Sequence, residues 1–90
     1  MPRLAQEMLI VNQRGLHARA SAKFVKVAGS FSSVITVTRE DDKVHGTSIM
    51  GLMTLGAGVG STILVEADGD DAREALEAIN AMINAKFGEE

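Results

Sequence analysis

The chain has 90 residues and a mass of 9.5 kDa, enough for one small domain that buries a little over ~60% of its unfolded surface. A hydrophobic content of 46% with no cysteine excludes general disorder, a disulfide framework and thiolate metal sites. Twelve Asp and Glu against nine Lys and Arg give a net charge of −3, and three phenylalanines are the only aromatics, which argues against a nucleic-acid partner needing basic excess and stacking platforms.

No apolar run approaches the ~20 residues of a membrane span, and the N-terminal residues lack a signal-peptide core, so the cytoplasm is the expected location. Residues 7–11 (EMLIV) predict a short, well-buried strand. The polar stretch Asn12-Gln13-Arg14-Gly15 predicts a loop. Residues 18–28 predict a helix, because Leu16, Ala20, Phe24 and Val27 fall on one stripe and Gly29 supplies a stop. The β-branched segment 33–39 predicts a strand. A charged turn at Glu40-Asp41-Asp42 and a short returning strand at 43–46 complete a hairpin.

Residues 48–55 (SIMGLMTL) predict a short helix with Ser48 as N-cap. The glycines at 56, 58 and 60 mark a turn, since no following Lys or βαβ setting supports a phosphate loop. Residues 62–67 predict a strand. Asp70-Asp71 opens the last helix, with Asp71 and Glu74 spaced as a capping box and Asp70 the alternative cap. Ala72, Leu76, Ile79, Ile83 and Phe87 form its apolar face, with Lys86 in the last turn and Gly88 beyond. Glu89-Glu90 is expected to be a frayed tail. The β-α-β-β-α-β-α order predicts an α+β two-layer open-faced sandwich, a four-stranded antiparallel sheet with three helices on one face.

The chemically informative segment is Gly15-Leu16-His17-Ala18-Arg19. A glycine loop delivers a histidine to a helix start, where unpaired N–H groups and the dipole favour an anion and disfavour a positive imidazolium. Arg19 in the first turn can bind a phosphate or carboxylate bidentately. The plain alternative for His17 is a capping or surface residue. Arg19, Lys23 and Lys26 share one helix face, either a solvated stripe or a patch that steers acidic partners. In the second helix Ile49, Met50, Leu52, Met53 and Leu55 exceed what one buried stripe needs, so some face outward and suit a partner surface. His45 has no clustered ligand beside it, and no metal or cofactor is expected.

These residues resemble a known family. Gly15-Leu16-His17-Ala18-Arg19 is similar to the active-site motif of the HPr family, the histidine-containing phosphocarriers of the bacterial phosphotransferase system. Ser48-Ile49-Met50-Gly51-Leu52-Met53-Thr54-Leu55 is similar to that family's regulatory serine segment and second helix. The resemblance runs over about residues 6–87, in the same element order, and implies one HPr-like domain over residues 1–90. It departs from the family pattern at Ala20, where many relatives carry proline, and at Thr47, where a basic residue or Asn is common.

The resemblance implies that His17 takes a phosphoryl group on its δ1 nitrogen from phospho-enzyme I, charged by phosphoenolpyruvate. His17 then passes the group to an enzyme II A-component. It implies that Arg19 and the backbone N–H groups of Ala18 and Arg19 stabilise the phosphate, and that Ser48 is phosphorylated by HPr kinase/phosphorylase. Lys23, Lys26, Ile49, Met50 and Met53 are then the expected partner surface of a monomeric, stoichiometric carrier rather than a turnover enzyme. The alternative is a regulatory binding module acting through phospho-Ser48; relatives given over to that role lack the histidine.

Overall fold

The computed structural model describes residues 3–89. Among them, strands β1 (Arg3–Leu9), β2 (Val34–Arg39), β3 (Asp42–His45) and β4 (Thr62–Asp68) form one antiparallel sheet in the order β1-β4-β2-β3. Helices α1 (Ala18–Ala28), α2 (Ile49–Thr54) and α3 (Ala72–Asn84) cover one face, and a 3-10 turn spans Lys86–Gly88. The α+β open-faced sandwich expected from the order of elements is the architecture found.

Strand alternation decides which face is covered. Met8 lies opposite Ile63, Ile35 opposite Ala67, and Val37 opposite both Val65 and Val44. Except for half-buried Val44, these side chains are buried beneath the helices. Helix residues Ala20, Phe24, Leu52, Ile79 and Ile83 meet them, each fully buried. The opposite sheet face is polar, with Glu66 on β4 bridging Arg3 on β1 and Lys43 on β3 at 2.8 and 3.2 Å.

Three expectations are corrected. The first strand begins at Arg3 and ends at Leu9, not at residues 7–11, and within it Met8 alone is buried and Leu4 half-buried; Leu9 is 52% exposed. It is an edge strand, and seven residues of register with β4 define it where a local apolar run suggested a shorter, buried element. The last helix ends at Asn84, so Lys86 and Phe87 lie beyond it, and Phe87 reaches the core from a left-handed turn rather than from the helix face. Asp71 stands at its N-cap position, but its side chain does not cap that helix. The carboxylate accepts instead from the N–H groups of Ser32 and Ser33, at 2.8 and 2.9 Å, and from the Ser33 hydroxyl. Aspartate satisfies whichever donors converge on it, and here the loop before β2 supplies three.

Candidate functional site

The loop from Asn12 to His17 is held from several sides. Gly15 adopts φ 63°, and a Cβ there would run into the Ala57 carbonyl and stand 2.7 Å from the Gly58 Cα, so glycine is required both for conformation and for space. The Leu16 N–H donates to the Ala57 carbonyl at 3.0 Å. Asn12, 1% exposed, donates through Nδ2 to the Gly15 carbonyl at 2.9 Å. The Ser21 hydroxyl donates to the Leu16 carbonyl at 3.1 Å. The glycine-rich segment after α2, expected only to turn the chain, thus also buttresses this loop.

The loop delivers His17 to the N-cap position of α1 with extended backbone, φ −73° and ψ −178°. Its carbonyl accepts from the Ser21 N–H at 2.8 Å, but its side chain makes no capping bond. The N–H groups of Ala18 and Arg19 therefore sit at a helix start that no His17 side-chain bond closes, where donors and dipole favour an anion.

The imidazole Nε2 instead meets the carboxylate of Glu89. The two side chains are 17% and 15% exposed. The other Glu89 oxygen accepts from Asn12 Nδ2 at 3.2 Å. The hydrogen bond to His17, helped by Asn12 and by the positive charge of Arg14, holds the Glu89 carboxyl below its ordinary value against the opposing effect of burial. Glu89, expected to fray, is part of the site; Glu90 lies outside the described residues.

Two open hollows flank this pair. One of about 190 Å3 is lined by Gln13, Arg14, Arg19 and Glu89. The other, about 250 Å3, is lined by Arg14, Leu16, His17, Gly56, Ala57 and Gly58. Arg14 lines both hollows, beside Arg19 and the Glu89 carboxylate in one and beside His17 in the other, so cationic side chains and an uncapped helix start border a partly exposed imidazole that other proteins can reach.

His17, Ala18 and Arg19 come together as the motif spacing suggests. Lys23 is exposed, but its ammonium donates to the Phe87 carbonyl at 2.6 Å, so it braces the chain end. Lys26 is exposed in the last turn of α1. Ser48 Oγ accepts from the Gly51 N–H at 2.9 Å and caps α2. Ile49, Met50 and Met53 are 40%, 70% and 39% exposed, while Leu52 and Leu55 are buried. Asn12, Arg14 and Glu89 escaped the sequence reading. Asn12 and Arg14 lie in a polar loop beside the motif, a weak signal, and Glu89 gives no local signal at all.

The PTS-HPr family model, described as the PTS HPr component phosphorylation site, matches residues 4–85. The phosphocarrier protein HPr of Cupriavidus necator is 48% identical over 86 residues, which cover 96% of this chain and 97% of that protein. The crystal structure of HPr-C-His from Thermoanaerobacter tengcongensis superposes with a TM-score of 0.89 at 44% identity, covering 100% of this chain and 99% of that one. An HPr dimer from the same organism matches with a TM-score of 0.77 at 48% identity, covering 89% of this chain and 92% of that one.

Proposed function

This chain belongs to the HPr family of phosphotransferase-system phosphocarriers, and from that membership we propose that His17 is its phosphoryl acceptor and donor. The group arrives on Nδ1 from phospho-enzyme I, itself charged by phosphoenolpyruvate, and leaves to a histidine of an enzyme II A-component. The chain acts as one monomeric domain in the cytoplasm, a stoichiometric carrier that returns unchanged after each round.

The observation that carries this reading is the uncapped start of α1, where His17 lines a hollow with Arg14, and Arg14 and Arg19 line the next. Arg19 neutralises the phosphoryl oxygens, and the Ala18 and Arg19 N–H groups donate to them. Catalysis is positioning and charge stabilisation, with no enclosed pocket to exclude the partners. Lys26, Ile49, Met50 and Met53 offer the docking surface, a basic and apolar patch for partners with acidic and apolar faces. Lys23 contributes its exposed stem there and its ammonium to the site's scaffold.

Ser48 is the regulatory site in this reading, a substrate for HPr kinase/phosphorylase. A phosphate there adds about −1.5 to −2 charges at the edge of the docking patch. A phosphate oxygen can keep the bond to Gly51 that the hydroxyl now makes, so α2 survives while acidic partners are repelled.

The test incubates the protein with enzyme I and labelled phosphoenolpyruvate. The wild type gains an acid-labile label, His17→Ala gains none while keeping its fold, and Ser48→Ala is labelled like the wild type. A wild type that takes no acid-labile label overturns the proposal. The alternative, a module acting through phospho-Ser48, is then tested by whether the Ser48 phosphoform binds a regulator that the unmodified protein does not.

A further inference from the structure

Glu89 reaches His17 by a conformationally demanding path. After α3 ends, Lys86, Phe87 and Gly88 take φ of 58°, 55° and 74°. Two of these three carry a Cβ, which the left-handed region disfavours, and such backbone persists only where its surroundings over-determine it. Here they do. The Phe87 ring is 2% exposed in the core, and its carbonyl accepts from Lys23 Nζ at 2.6 Å. The Gly88 N–H donates to the Ala85 carbonyl at 2.9 Å and the Glu89 N–H to the Lys86 carbonyl at 3.0 Å.

The hook ends with both Glu89 oxygens engaged, one on Asn12 Nδ2 and one on His17 Nε2. The same Asn12 amide also holds the Gly15 carbonyl. The carboxylate is therefore tied to the loop that presents the histidine, and residues 12–17 and 86–89 are joined around one ring nitrogen.

A neutral imidazole has one N–H and one lone pair, and an ionised carboxylate only accepts. A carboxylate fixed at Nε2 selects the form protonated there and leaves the lone pair on Nδ1. We infer that Glu89 is a positioning residue for phosphoryl transfer, holding the ring proton on Nε2 so that Nδ1 is the nucleophile. This rests on the reading of His17 as the phosphoryl acceptor.

The step balances without a general base. The Nδ1 lone pair forms the new N–P bond, and the bond from phosphorus to its donor atom on enzyme I breaks, the electron pair leaving with that atom. His17, bonded at Nδ1 and still protonated on Nε2, then carries a positive ring charge that Glu89 faces. In the onward step the N–P electron pair returns to Nδ1, and the ring is again neutral with its proton where it was.

The test pairs 15N NMR of the neutral His17 ring, in the full unphosphorylated chain, with the rate of acid-labile label gain from phospho-enzyme I. In the wild type the Nε2-protonated form dominates. Glu89→Ala moves the ring nitrogens toward the mixture of free imidazole and slows labelling about tenfold, the loss of one charge-assisted hydrogen bond. Glu89→Gln, whose amide oxygen still accepts, keeps most of the tautomer preference and labels at an intermediate rate. Unchanged ring nitrogen shifts in Glu89→Ala, or labelling as fast as the wild type, overturn the inference. The NMR arm needs no partner, so a wild type without label overturns the carrier reading while the ring shifts separately show whether Glu89 selects the tautomer.

Discussion

The starts of α1 and α2 use similar extended backbones to opposite ends. Ser48 has φ −109° and ψ 106°, and its hydroxyl turns inward to accept from the Gly51 N–H. His17 has φ −73° and ψ −178°, and its ring turns away from α1 to a carboxylate 72 residues further along the chain. One helix start is closed by its own cap. The other leaves its donors uncapped by that side chain, with Arg14 and Arg19 nearby. A helix N-terminus becomes available to an anion when tertiary structure draws the N-cap side chain elsewhere. Here the C-terminal hook does so.

The largest effect that tests this contrast comes from Gly15→Ala. Its Cβ has no room against the backbone at Ala57 and Gly58, and φ is 63°, so a loss of about 3 kcal/mol is expected in denaturant unfolding. The amide signals of residues 12–17 should shift with it, while those around Ser48 stay in place. A loss below about 0.5 kcal/mol, the range of a surface substitution, would show that the glycine-rich segment does not buttress the His17 loop.

Ser48→Ala comes next, at about 1 kcal/mol for a lost N-cap. Ser48→Asp should recover most of it, since aspartate caps equally well. Neither should move the His17 ring signals, and a shift there would mean the two helix starts are coupled rather than separate devices.

The smallest effect lies at the start of α3, a third arrangement in which the N-cap residue serves a different loop. Bonds from the Ser33 hydroxyl chiefly, and from the Ser32 N–H, pull the Asp71 carboxyl down to about 2 from 3.8. The stability tied to this ionised carboxylate is complete above the unfolded value near 3.8 and is lost as pH falls through about 2. Asp71→Asn should therefore be less stable than the wild type at neutral pH, with the gap closing between pH 4 and 2 in acid unfolding curves. A gap that does not vary with pH would separate Asp71 from this network.

Much of the site is legible in the sequence. The helix over residues 18–28 has the bounds found for α1, and the face formed by Ala72, Leu76, Ile79 and Ile83 is buried throughout, while Phe87, expected on the same helix, is buried from the turn beyond its end. The Gly15–Arg19 motif lies on adjacent residues, so local chain geometry alone places His17 at a helix start with Arg19 in its first turn. The beginning of β1 was not legible, because Arg3 joins the sheet by pairing with Asp68 rather than by its own character. The hook was hidden as well. Glu89 looks like any terminal acid, and Lys86 and Phe87 are not residues that announce a left-handed turn.

What the sequence determined by itself is what recurs at short spacing: element order, the buried helix faces, the glycine loop and the histidine it presents. Tertiary structure alone decided which distant groups complete each site. Asp71 serves residues 32 and 33, Lys23 braces Phe87, and Glu89 meets Asn12 and His17. Periodicity records which face a residue shares with its near neighbours. A bond between residues 38 or 72 positions apart forms only after the buried core has brought their elements together, so it leaves no trace in the local pattern.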